Sequence, residues 1–109
     1  MSDTITREHL VTGDRAGAID RVEIHRVTLP PGQLAGRHTH PGGVAGYVVD
    51  GVIIFELDGG PPKELRAGDA FFEPAGATVH RFDNVSAEHP ATFVACYPLT
   101  GDEPLIQPL

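Results

Sequence analysis

The stretch GRHTHPGGVAGYVVDG, residues 36–51, sets two imidazoles, His38 and His40, two positions apart just ahead of an apolar run. Successive side chains of a β-strand point to opposite faces, so residues i and i+2 share one. His38 and His40 are therefore expected on one face, where their rings could converge on a single ion at the ~2.0–2.1 Å of a zinc–imidazole bond. Taken alone, such a pair is equally compatible with a solvated loop, because imidazole is both the commonest metal ligand and an ordinary surface group. The residues that follow carry more. GYVVDGVIIFELDGG holds two apolar runs, near 44–49 and 52–58, joined by Asp50-Gly51, the dipeptide that supplies the positive φ angles of a two-residue hairpin turn. The two runs are predicted to pair.

Working outward, RVEIHRVTL (21–29) combines β-branched residues with partial alternation and is stopped by Pro30-Pro31-Gly32, since proline cannot donate to a sheet ladder. Downstream, GGPP (59–62) turns the chain, and KELRAGDAFFEPAG splits into two short segments around Ala67-Gly68-Asp69. Pro74-Ala75-Gly76 forms another turn, TVHRF and the loop NVSAEHP follow, and ATFVACYPL closes the series as a strong strand. Eight to ten short strands without a 3.6-residue period predict an all-β antiparallel sandwich or barrel. Residues 1–20 show no sustained period and are expected to form an N-terminal arm, with 21–109 as one β-barrel domain.

At 109 residues the chain has room for a single core. Eight Lys+Arg against 15 Asp+Glu, a formal net charge of −7, argue against nucleic acid as a partner, because that affinity rests on neutralising phosphates. No apolar run approaches the ~20 residues of a membrane span. Cys96 is the sole cysteine and cannot form an internal disulfide, and MSDTITREHLVTG lacks the basic start and apolar core of a signal peptide. A soluble, cytoplasmic protein with a small-molecule partner is expected.

Two ordered motifs sharpen this expectation. Gly32 is followed after five residues by His38, then by His40 and, past a strand, by Gly51; Gly68-Asp69, Pro74, Gly76, His80 and Asn84 follow in turn. This series resembles the two motifs of the cupin superfamily, in particular its small single-domain members, over residues 32–84. The resemblance implies a double-stranded β-helix, or jelly roll, in which His38, His40 and His80 converge inside the barrel on a divalent metal. It also implies a homodimer, in keeping with the need to protect edge strands. The chain departs from the family pattern twice. The family's glutamate ligand falls at Val44, which coordinates nothing, and three residues rather than two separate Gly76 from His80. A one-residue slip within a strand would turn His80 to the wrong face. The interval from His80 to Asn84 keeps the family length, so the extra residue is assigned to the turn or a bulge, with His80 back in register.

The expected site is thus a three-histidine centre with open positions for substrate or dioxygen. Iron is the favoured ion, with zinc, nickel, manganese and copper also compatible with imidazole-rich ligation. Glu73, directly before Pro74, is a candidate acid or base beside the ion if its strand turns it inward; a solvated edge carboxylate is the plainer reading. Cys96 reads as a small buried hydrophobe, and Tyr47, Tyr97, Phe72 and Phe82 as core residues that could line a pocket. His25 lies mid-strand with its face undecided, His9 and His89 read as solvated, and Arg37, alternating with His38, should point away. The functional expectation is a metal-binding cupin acting on a small organic molecule, with a dioxygenase-type oxidoreductase leading. A non-catalytic small-molecule binding or sensing module is the alternative.

Overall fold

ATFVACYPL, residues 91–99, shows why the chain folds as two facing sheets: Ala91, Phe93, Ala95, Tyr97 and Leu99 are all buried, and the residues between them only half so. A strand with period-two burial needs a partner layer on its apolar side. The computed structural model describes residues 5–15 and 17–109. Within them lie β1 (Arg21–Leu29), β2 (His38–Thr39), β3 (Val44–Asp50), β4 (Val52–Leu57), β5 (Lys63–Arg66), β6 (Ala70–Glu73), β7 (Val79–Asp83), β8 (Ala91–Leu99) and β9 (Gln107–Pro108). All pairings are antiparallel, in sheets ordered β1-β8-β3-β6 and β5-β4-β7-β2-β9. This is the all-β jelly roll expected from the sequence. No helix among the described residues is long and apolar enough to cross a membrane.

The hairpin predicted at Asp50-Gly51 does not form. β3 pairs with β6 and β8, whereas β4 pairs with β5 and β7, so the chain changes sheets between them. Gly51 does adopt the positive φ read from the sequence, 84°, but it uses it to turn a corner. A Cβ at Gly51 would lie 2.7 Å from the Ala91 Cα and the Pro90 carbonyl oxygen, so the backbone is pressed against the start of β8 instead of folding back on itself. The dipeptide encodes the local dihedral angle, and packing decides which strand the next segment meets.

The sheets are joined by an aromatic cluster. Phe71 of β6 and Phe93 of β8 come from one sheet and Phe82 of β7 from the other, with ring centroids 5.0 Å apart for Phe71–Phe82 and 4.8 Å for Phe82–Phe93. Such tilted and edge-to-face contacts suit the quadrupoles of the rings. Phe71 finds its place because its cross-strand partner is Gly46. The described part of the arm borders a groove on the outer face through residues 8–11 and reaches β8 at Asp20, whose N donates to the Leu99 carbonyl oxygen at 3.0 Å. Arg15 anchors it, through Nη2 to Glu103 at 2.7 Å and Nη1 to Thr100 at 3.0 Å.

A Cβ on Gly46 would sit 2.2 Å from the Phe71 ring. Glycine to alanine within a strand ordinarily gains stability by reducing backbone entropy, yet Gly46→Ala is expected to destabilise by roughly 1–3 kcal/mol through overpacking. Urea unfolding at constant m-value measures the sign; a more stable variant would show that Phe71 moves aside freely.

Candidate metal centre

His38 heads β2, hydrogen-bonded in register between Val79 of β7 and Pro108 of β9. His40 follows on the same face, and both side chains are buried, as the i, i+2 spacing predicts. Each ring is pinned through Nδ1, in His38 2.8 Å from the Gly36 carbonyl oxygen and in His40 2.8 Å from that of Leu105. A carbonyl only accepts, so Nδ1 of each carries the hydrogen and the neutral ring leaves Nε2 with a free lone pair. That is the tautomer a metal-binding imidazole needs, with an outer partner fixing its orientation.

The third group is Glu73, at the end of β6. Its cross-strand partner is Val44, the position at which the sequence pattern called for a carboxylate. Val44 is on the inner face as expected, only 2% exposed, and Glu73 beside it is 3% exposed. A carboxylate therefore reaches the site from one rung across the ladder. The approach of the two segments is set by the His40 carbonyl, which accepts from Gly43 N and Gly76 N, each at 3.0 Å. Gly43 has a φ of 79°, and a Cβ there would lie 3.1 Å from the Glu73 carbonyl oxygen, so the Pro-Gly-Gly turn after His40 lets the two strands close.

His80 does not join this group. β4 residues Glu56 and Leu57 pair with Arg81 and Val79, which leaves His80 as the extra residue of a bulge. Its Nε2 lies 3.1 Å from Asp58 Oδ1 on the outside, with 31% of the side chain exposed. The additional residue expected before His80 is His80 itself: Val79, fully buried, occupies the inward position. An apolar valine gains from burial what an imidazole without a partner would lose. Among the described residues, the metal-ligating atoms that come together are those of His38, His40 and Glu73, all within 4.8 Å of one another. Glu73 was foreseen only as an acid or base. Its pairing opposite Val44 and the alternation of Phe71 and Glu73 inward against Phe72 place its carboxyl in the cluster, as a candidate ligand.

The remaining candidates separate by face. Tyr97 and Phe82 line a cavity of about 280 Å³ that reaches the cluster. Cys96 is half-buried on the outer face and lines a groove beside the arm, not the barrel interior, because it alternates with the inward Ala95 and Tyr97. Tyr47 borders the same outer groove. His25 stands at the cavity mouth, its Nε2 3.0 Å from Glu23 Oε1. His9, His89 and Arg37 are exposed, as expected.

The electrostatics are those of a cluster of acceptors. His40 Nε2 and Glu73 Oε2 face each other at 3.5 Å, but the imidazole is no cation. Burial holds His40 below the usual imidazole value; the Leu105 hydrogen bond opposes this, and nearby His38 adds to it. Glu73 Oε2 has no hydrogen-bond partner, and burial pushes this carboxyl up to about 8. Burial, with the Glu73 charge as a second cause, pushes the Tyr97 phenol up to about 12. Two buried acceptors facing one another need a proton or a metal ion between them.

A carboxyl whose value is raised on folding stabilises fully below its unfolded value near 4.5, and this contribution is lost as pH rises through about 8. A depressed His40 acts in the opposite sense, but only below the usual imidazole value of 6.5. Between pH 6.5 and 8 Glu73 therefore sets the slope. Chelator-treated protein is expected to lose stability there by up to about 1.4 kcal/mol per pH unit, and Glu73→Gln should flatten the profile. Denaturant unfolding across that window measures both, and a flat wild-type profile would contradict the buried, unpaired carboxyl.

The sequence profile of the Cupin domain family matches residues 25–97, well over half the chain. Among solved structures the chain is similar to a cupin-like protein from Thermotoga maritima, with 20% identity and a TM-score of 0.69 over 81% of this chain and 64% of that one. It is also similar to DMSP lyase DddQ from Ruegeria pomeroyi, with 24% identity and a TM-score of 0.67 over 80% and 42% of the two chains. An oxalate oxidase in complex with the substrate analogue glycolate matches with 27% identity and a TM-score of 0.64 over 78% and 44%. The chain thus spans between 42% and 64% of the length of these proteins. No curated protein sequence matches it significantly. The profile match agrees with the strand order and the two inward histidines, and the chain belongs to the cupin family.

Proposed function

We propose that this cupin is a metal-dependent enzyme in which His38, His40 and Glu73 hold a divalent ion, iron in the first place, and which oxidises a small organic molecule with dioxygen. The observation that carries the reading is the buried Glu73 oxygen without a partner, facing imidazoles whose Nδ1 hydrogens are already committed to backbone carbonyls. Two histidines and one carboxylate on one side of an ion leave other positions open, and a redox-active metal so held supplies dioxygen activation.

The chain's own groups have distinct tasks in this reading. Gly36 and Leu105 fix the imidazole planes through Nδ1, so the ligands meet the ion without reorganising. Glu73 compensates one positive charge where three neutral imidazoles would have compensated none. The Tyr97 phenol, kept protonated by burial, presents a hydrogen-bond donor in the cavity that His40 and Glu73 also line. Val44 and Phe71 close the inner wall and exclude water. The neighbour named an oxalate oxidase supports redox chemistry on such a scaffold. The neighbour named a lyase is below the identity at which more than the fold transfers.

Single substitutions His38→Ala, His40→Ala and Glu73→Val should each weaken metal binding by more than the roughly 10–100-fold that losing an outer-sphere partner costs, whereas His80→Ala should leave it unchanged. Because residues 44 and 73 face each other across the ladder, Val44→Glu combined with Glu73→Val should restore much of the metal content. Elemental analysis of protein purified without affinity metal decides; loss of metal in His80→Ala would return the third ligand to that histidine.

Iron-loaded protein should consume dioxygen only when a suitable small substrate is added, and the zinc-loaded form should be silent, since zinc has no redox chemistry. Oxygen-electrode traces of both forms test this. Equal product formation by the two would replace oxidation with Lewis-acid chemistry.

A further inference from the structure

The cavity above the cluster is a narrow chamber of about 280 Å³, at the small end of the ~300–1,000 Å³ typical of ligand pockets. It has room for a molecule of about one ring. Apart from the cluster, its wall is mainly apolar, with Val27, Leu29, Phe71, Phe82 and Phe93 among its members. None of the chain's eight Lys and Arg residues lines it. The Tyr97 phenol is an uncharged donor in that wall, and at the mouth His25, with 43% of its side chain exposed, is hydrogen-bonded to Glu23. Arg21 shares Glu23 at 3.4 Å and donates to the Glu103 carbonyl oxygen at 2.8 Å, so the one arginine of that group is already engaged.

A bound molecule can place one oxygen-donor head on the ion. Any second anionic group would be desolvated against phenyl rings with no cation to meet it, and burying an unpaired charge is strongly unfavourable. The net charge of −7 further opposes the approach of a dianion. An uncharged ring, by contrast, would extend the series of tilted and edge-to-face contacts in which Phe82 already meets Phe71 at 5.0 Å and Phe93 at 4.8 Å.

We propose that the site selects small molecules with a single oxygen-donor head and an uncharged, ring-bearing tail, and rejects dicarboxylates and phosphate monoesters. The selection rests on the metal-dependent reading above and names its substrate class. The aromatic wall supplies affinity for the tail, and the absence of a wall cation supplies rejection of a second charge.

Three ligands with one common head separate these effects: acetohydroxamate, with a methyl tail; benzohydroxamate, with a phenyl tail; and 4-carboxybenzohydroxamate, with the same ring and one added charge. Zinc-loaded protein of measured metal content is titrated with each by calorimetry, so that no turnover is involved. Benzohydroxamate is expected to bind at least tenfold more tightly than acetohydroxamate, and the carboxylated analogue at least tenfold more weakly than benzohydroxamate. Equal affinities on protein that holds one zinc per chain would overturn the selection and leave the metal centre standing. Protein that retains no zinc would overturn the metal centre, and the selection with it.

Discussion

One carboxylate oxygen, Oε2 of Glu73, is buried at the meeting of two sheets with no hydrogen bond to satisfy it. Facing it are imidazoles that have spent their single hydrogen on the Gly36 and Leu105 carbonyls. Proteins seldom leave such a group unpaired, because the desolvation of a buried polar atom is lost in full when nothing replaces water. The need for a cation among these three residues follows from that arrangement. A proton satisfies it partly, and burial raises the Glu73 carboxyl in the direction that keeps one there. A divalent ion satisfies all three acceptors at once.

The jelly roll makes the arrangement rigid because the three residues come from both layers. His38 belongs to β2 of one sheet, and Glu73 to β6 of the other. Their separation depends on how closely the sheets pack, and that spacing is held by the phenylalanine cluster and by the two hydrogen bonds that the His40 carbonyl accepts from Gly43 and Gly76. An ion bound between them would tie the two sheets together and stabilise the folded state by mass action. Folding and the binding of such an ion would be coupled through the same few ångströms.

The position of Glu73 shows how a carboxylate can stand beside the two histidines although the family position holds Val44. Val44 and Glu73 are one cross-strand pair, so their side chains leave adjacent strands on the same face. Exchanging which member of a pair carries the charge moves the ligand atom by about one strand spacing of ~4.8 Å, a distance that a glutamate side chain spans. A change of similar size along a strand, as at His80, moves a side chain to the opposite face and removes it altogether. Across a ladder a ligand can migrate; along it, a single step is fatal.

Much was legible in the sequence because it depended on local chemistry. The strand at ATFVACYPL, the stop at Pro30-Pro31-Gly32 and the shared face of His38 and His40 all follow from backbone geometry within a few residues. Strand pairing does not. Asp50-Gly51 encodes a positive φ, and either a hairpin or a corner satisfies it; contact between Gly51 and Pro90-Ala91 selects the corner. The third ligand likewise lay outside local reach. Whether His80 or Val79 enters the core depends on where β7 bulges against β4, and whether Glu73 lies inside depends on its register with Val44. Alternation along one segment was enough to read the main strands and the shared inward face of His38 and His40, whereas the outward faces of Cys96 and Tyr47 were not read from it. Tertiary structure alone brought Glu73, and not His80, beside those two histidines, because register is a relation between strands distant in sequence and is fixed by what their shared face buries.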